Sequence, residues 1–405
     1  MTDRATEPFD LSHRRRTVFV SSGQSSRPTG GWVTRVRRIA AIAAAICLIP
    51  AVVSYVGALA GRSDSSIGVR TVEWLRDNGA RGLVDRVENL YYSLTAPSKG
   101  GPALKALPAQ SGVVAVTPGP IPPIRFRLPQ IHHYRPPNIK PVIHPALSNE
   151  GVWHPTFARG GSRPPVLITS FRPEPDYPHL VAGVAWIDHT RTSVMLYPGI
   201  SEPAVPIVSR GPEKVPTSTR NGLVATFNSA FKLKDSGGGF AYDGHTYAPM
   251  KRDTATIVRY RDGRVDVMSW PGGPDVPGNV LYARQNLPLI VNAGRPNPNL
   301  SDGPEWGATL GNAIMVWRSA VGIDRHGNLI YAAANDQTVG SLAAIMIRAG
   351  AVRAMELDIN TYWTSFITYR YPGARDPANL LAGMDRSPTR YLTPDDRDFF
   401  AVYVR

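Results

Sequence analysis

An uncharged apolar run from Ile39 to Gly61, bounded by Arg38 and Arg62, decides how the rest of the chain is laid out. As a helix it is long enough to cross the hydrocarbon of a bilayer. Pro50 inside it is better tolerated there than in a soluble helix. Residues 1–38 carry eight arginines against three acids (Asp3, Glu7 and Asp10), and Arg35, Arg37 and Arg38 abut the run. The excess of positive charge on that side predicts a cytoplasmic N-terminus and an extracytoplasmic C-terminal region. A cleaved signal peptide is the competing reading, since Ala58-Leu59-Ala60 has the small residues of a cleavage site. The 38 residues that precede the run are long for a signal peptide. The expectation is therefore an uncleaved signal-anchor in the cell membrane, single-pass.

That placement limits the partners. The net charge of +14 fits an anionic polymer, an acidic lipid surface or nucleic acid. Outside the cytoplasm the choice falls on anionic or phosphorylated glycan, with no nucleic acid and with the membrane reached through one helix. Cys47, the single cysteine, lies in the apolar run, so the outer region holds neither disulfides nor thiolate zinc sites.

Five segments follow from composition. Residues 1–38 read as a basic cytoplasmic tail and 39–61 as the transmembrane helix. Residues 62–96 read as two juxtamembrane amphipathic helices, Ser66 to Asp77 and Arg81 to Leu94, broken at Asn78-Gly79. Residues 97–149 hold a dozen prolines and read as a semi-rigid polyproline spacer. His132-His133 and His144 lie in it without the carboxylates or thiols that would make a metal site.

From Glu150 to Arg405 the pattern is that of one α+β domain, a large mixed or antiparallel sheet system with few helices. Thr254–Tyr260 and Val265–Trp270 flank Arg261-Asp262-Gly263-Arg264, and Ala313–Ile323 and Leu329–Ala333 flank Asp324–Asn328; both read as hairpins. Thr338–Ala349 reads as a buried helix ended by Gly350. Val352–Leu357 and Phe399–Val404 read as buried strands.

Three stretches could carry chemistry. Glu356 and Asp358 stand at i and i+2 on an apolar strand, so both project to one face, where two acids must be paired or used. Arg318 interrupts another apolar strand and needs an acid or an anionic ligand. Asn228 ends a strand ahead of Gly237-Gly238-Gly239 and Asp243-Gly244, where glycine permits close approach of a ligand or merely a turn. From pattern alone, catalysis and structural ion pairing stand equal. There is no Walker A loop, no HExxH and no GxSxG.

In order and spacing these stretches resemble the phosphodiester glycosidase family. Asn228 and Phe231 resemble its NGGFF-type motif, Asp243-Gly244 its loop, Arg318, Ala320 and Gly322 its R-[ST]-A-[IV]-G strand, and Asp358 the aspartate of its LDGGGS motif. The resemblance covers about Pro206 to Phe366. Here Ile359-Asn360-Thr361-Tyr362-Trp363 replaces the family's glycines and serine, and Glu356 stands where many members have asparagine. The resemblance implies hydrolysis of a sugar-1-phosphodiester in the cell envelope, with Asp358 and Glu356 catalytic. Arg318, Asn228, Asp243, Gly244 and Asn360 would bind substrate. No cofactor is implied, with a divalent metal left open. The rival is a non-catalytic envelope module that binds anionic glycan or a membrane partner.

Overall fold

The computed structural model describes residues 30–114, 134–158, 163–301, 303–307 and 315–405. Most of the expected cytoplasmic tail, and His132-His133, lie outside them. Two compact units emerge, Met1–Gly57 and Ala58–Arg405. The first is dominated by α1 (Gly30–Ala60), an apolar helix whose spanning window is not buried against protein. It is long and apolar enough to cross a membrane, a test that a signal sequence also passes.

The second unit begins with α2 (Ile67–Leu75) and α3 (Arg81–Thr95). Ser66 caps α2 by accepting a bond from the Val69 amide. Between the helices Gly79 takes a φ of 91°, which only glycine adopts without strain. That residue makes the predicted break.

Three antiparallel sheets form the body. The central one has eight strands, in the order His154–Pro155, Val166–Phe171, Ala182–Ile187, Leu329–Gln337, Val316–Asp324, Ala351–Glu356, Leu289–Asn292 and Arg295–Pro296. A second runs His245–Ala248, Phe240–Tyr242, Val280–Gln285, Ala255–Tyr260, Val265–Ser269. The third runs Arg375–Asn379, Phe366–Tyr371, Leu223–Asn228, Phe399–Val404, Thr192–Tyr197. The class is α+β, as the sequence indicates, and both expected hairpins form.

Alternation along Val316–Asp324 sorts two cores. Trp317, Val321 and Ile323 join the core shared by all three sheets, with Phe227, Phe400 and Tyr282. Ala320 belongs to the opposite face, which packs on α5 (Val339–Arg348) after the four-residue α4 (Leu233–Ser236). Small side chains there let the helix approach; a Cβ on Gly322 would stand 2.8 Å from Met346 Cε. α5 is capped by Thr338, which accepts from the Ser341 amide, and ends at Gly350 with φ 97°.

The proline-rich stretch differs from the expected spacer wherever it is described. Residues 101–114 and 134–149 lie on the domain. The Val114 amide bonds Pro155 O, the Ile139 amide bonds Gly151 O, and Trp153 Nε1 donates to Pro137 O. Ile139 is buried in the core against α5. Proline density reports a missing donor, whereas the carbonyls and interspersed apolar residues remain free to dock. Ile139→Ala should therefore cost about 2–5 kcal/mol in denaturant unfolding of the full chain, the usual penalty for emptying a buried isoleucine. A spacer residue would leave the midpoint unmoved.

Candidate active site

The strand Ala351–Glu356 and its continuation bring the two predicted carboxylates to the edge of the shared core. Glu356 is fully buried, paired with Ala320 across the strands. The ladder ends there. The Leu357 amide still bonds Ser319 O, but the Asp358 amide turns to Ser229 O, at the end of the third sheet's central strand. The expected shared strand face therefore stops at Glu356, and each carboxylate acquires its own arginine.

Arg318 Nη1 stands 2.6 Å from Glu356 Oε1. Its other bonds go to protein: Nε to Gln337 O at 2.9 Å and Nη1 to Trp306 O at 2.8 Å. Asp358 Oδ2 stands 2.6 Å from Arg397 Nη2, and Asp358 Oδ1 accepts from the Ile359 amide. Burial outweighs both arginines. It pushes Glu356 up to about 7, with Asp358 adding to the rise, and Asp358 up to about 6, with Asp398 adding.

The other predicted residues fall into two groups. Asn228 lies beneath the Asp358 turn: its Oδ1 accepts from Tyr331 Oη and the Ser365 amide, and its Nδ2 donates to Ser319 Oγ. Ser319 Oγ in turn donates to Asp358 O at 2.7 Å. Asn228 thus supports the site from below. Asn360 lines the pocket with a φ of 89°, and its Oδ1 caps the Tyr362 amide. Asp243 and Gly244 form the turn between Phe240–Tyr242 and His245–Ala248, in the second sheet, and do not line the pocket. Arg318 and Glu356 do not line it either; they lie behind Asp358.

The pocket has a volume of about 50 Å³. Asp358, Ile359, Asn360, Trp363 and Arg397 form one wall, Phe231, Lys232 and Lys234 another, and Glu73, Arg76, Asp77 and Arg81 border it from the segment after α1. Glu73 pairs with Lys232 at 2.6 Å, Asp77 with Lys234, and Arg81 with Asp235 at 2.6 Å. A space of this size holds water. Trp363 is pinned by the guanidinium of Arg397, 4.9 Å from its ring centre, and by Arg390 at 5.5 Å.

Several polar atoms near this turn are buried without a partner: Glu356 Oε2, Asn286 Oδ1, Ser229 Oγ and Asp398 Oδ1. Asn286 Nδ2 holds Glu356 O, and Asp398 holds the buried Arg284. Among the described residues no group of three or more His, Cys, Asp or Glu is placed to hold a metal ion. Arg397, Asn286 and Arg284 were not singled out from sequence. The signal for Arg397 was present, since Asp395-Asp396-Arg397-Asp398 sets four charges directly before the apolar strand Phe399–Val404.

Residues 217–358 match the family model of the phosphodiester glycosidases, a match that ends on Asp358. The match takes in about a third of the chain. Among solved structures, the zebrafish N-acetylglucosamine-1-phosphodiester alpha-N-acetylglucosaminidase catalytic domain, auto-inhibited by its pro-peptide, is similar at 17% identity. The similarity covers 60% of this chain and 85% of that one, with a TM-score of 0.39. A hypothetical protein from Synechocystis is similar at 13% identity over 60% of this chain and 63% of its own, with a TM-score of 0.35. No curated protein matches the chain. Such scores assign no chemistry, which has to come from this chain's own residues.

The raised Glu356 gives a testable sign. A carboxyl whose folded value exceeds its unfolded one contributes stability that is fully present below the unfolded value, near 4.5, and is lost as pH rises through about 7. Glu356→Gln removes that titration. Between about pH 5 and pH 7.5 the wild-type Tm should fall relative to the variant's, measured by thermal unfolding. Parallel curves would contradict the assignment.

Proposed function

We propose that the domain hydrolyses a sugar-1-phosphodiester in the cell envelope, outside the cytoplasm, and that Asp358 does the chemistry. The observation that supports this reading is the pair of buried, separately held carboxylates at the end of the family-matched stretch, of which Asp358 opens onto a pocket. Asp358 would act as nucleophile or as base on water. Its folded value near 6 leaves it ionised at neutral pH. The leaving phosphate carries its own charge and needs little help from an acid. Glu356 and Arg318 act through position: their ion pair fixes the strand end from which Asp358 projects. Arg397, Lys232 and Lys234, among the cations at the pocket, would meet the phosphate. A phosphate there would displace Glu73 and Asp77 from the two lysines.

One observation favours the binding-module reading. Ile359 to Trp363 fill the space beside Asp358, and Trp363 is clamped by arginines. In that case the lysine-rich mouth would hold anionic glycan without cleaving it.

Full-length protein assayed on a panel of sugar-1-phosphodiesters separates the two. Asp358→Asn should lower kcat by about 100-fold or more while the chain stays folded. Arg318→Ala should instead destabilise by about 3–5 kcal/mol, because it strands Glu356 in the core. Wild type that binds anionic glycan but turns over no panel member would replace hydrolysis by binding. Full activity in Asp358→Asn would move the chemistry elsewhere.

A further inference from the structure

α3 presents two unlike faces. On one, Val84 is buried, and Tyr92 packs on the cluster of Phe231, Val316 and Ile359 beside the pocket. Glu88, on the same helix, pairs with Arg76 of the turn before it. On the other, Leu83, Val87, Leu90, Tyr91 and Leu94 recur every three or four residues and are 60–77% exposed. Arg86 borders them in the open. Five large apolar side chains in one stripe form a patch of the kind that marks an interaction surface.

The chain around the stripe says what covers it. α3 follows the spanning helix with only α2 and one turn between. Arg70, on α2, donates to Ala58 O and Gly61 O, which ties the first turns of α2 to the last turn of α1. The segment thus starts at the point where the chain leaves the apolar span. Its outward composition is that of a helix lying in an interface: leucine and valine in a line, a tyrosine at the edge, arginine beside them, and acids kept to the inner side.

We propose that the outward face of α3 docks on the membrane bilayer, with anionic headgroups met by Arg86, so that the domain touches the membrane through α3 as well as through α1. Since Arg81 and the turn before α3 close the Asp358 pocket, the pocket mouth is then held at the headgroup layer. The docking rests on the reading of α1 as a membrane span and is independent of whether Asp358 is catalytic.

The test uses the full chain in a Cys47→Ser background, reconstituted into phosphatidylcholine–phosphatidylglycerol vesicles. Leu90→Cys carries an environment-sensitive fluorophore. Val208→Cys, at a site 93% exposed, is the control. Doxyl-labelled lipid should quench the probe at position 90 several-fold more than at 208, and aqueous iodide should do the reverse. Adding Leu83→Asp and Val87→Asp to the Leu90→Cys chain should abolish lipid quenching while leaving Tm within a few degrees, because both sites are exposed. Equal iodide quenching at 90 and 208 would overturn the proposal. So would disulfide cross-linking of two chains in the unlabelled Leu90→Cys protein, with no lipid quenching of the labelled one, which would give the face to a second copy.

Discussion

Arg318 and Glu356 form an ion pair inside the central sheet, 2.6 Å apart with side chains 3% and 0% exposed. The arginine is answered by Gln337 O, Trp306 O and the carboxylate. Such bonds offset part of the cost of taking the two charges out of water. This commitment shapes the site. Arg318 fixes the end of the strand that launches Asp358, while Arg397 and the lysines of the loop after Phe231 line the pocket. Asn228, Ser319 and Ser229 then hold the launching turn through Asp358's backbone. Only its carboxyl is left to face the pocket.

The segment after α1 is part of the same unit as the domain. Ser63 Oγ and the amides of Asp64 and Ser65 donate to Asp396, and Asp64 pairs with Arg386. Burial, with Asp395 nearby, pushes Asp64 up to about 6. Charges on this segment thus meet charges around the pocket, Glu73 on Lys232 and Asp77 on Lys234. The segment that carries Glu73, Asp77 and Arg81 thus borders the pocket from within the same unit as Asp358.

Much of the fold was legible because it is written in local chemistry. Asp262-Gly263 makes one hairpin, Asp324 ties the other by accepting from the His326 and Asn328 amides, and Thr338 and Gly350 bound α5. Charge in an apolar strand exposed Arg318, Glu356 and Asp358. What stayed hidden depends on contacts distant in sequence. Arg397 reaches Asp358 across the join between two sheets, and Glu73 reaches Lys232 from the far end of the unit. Asn228 was legible as special but not as a support, since its partners Tyr331 and Ser365 are remote. The proline-rich stretch misled because composition does not show where a carbonyl or an Ile139 will dock.

The central claim is that a buried Asp358, raised by desolvation and held by Arg397, is the reacting group. The pH dependence of kcat/KM on a sugar-1-phosphodiester tests it most directly, because a phosphodiester does not itself titrate near neutrality. The account predicts a rate that climbs through a limb near pH 6, as Asp358 ionises, and a limb that persists in Glu356→Gln. A rate unchanged between about pH 5 and pH 7.5, or a limb that vanishes with Glu356 alone, would contradict it.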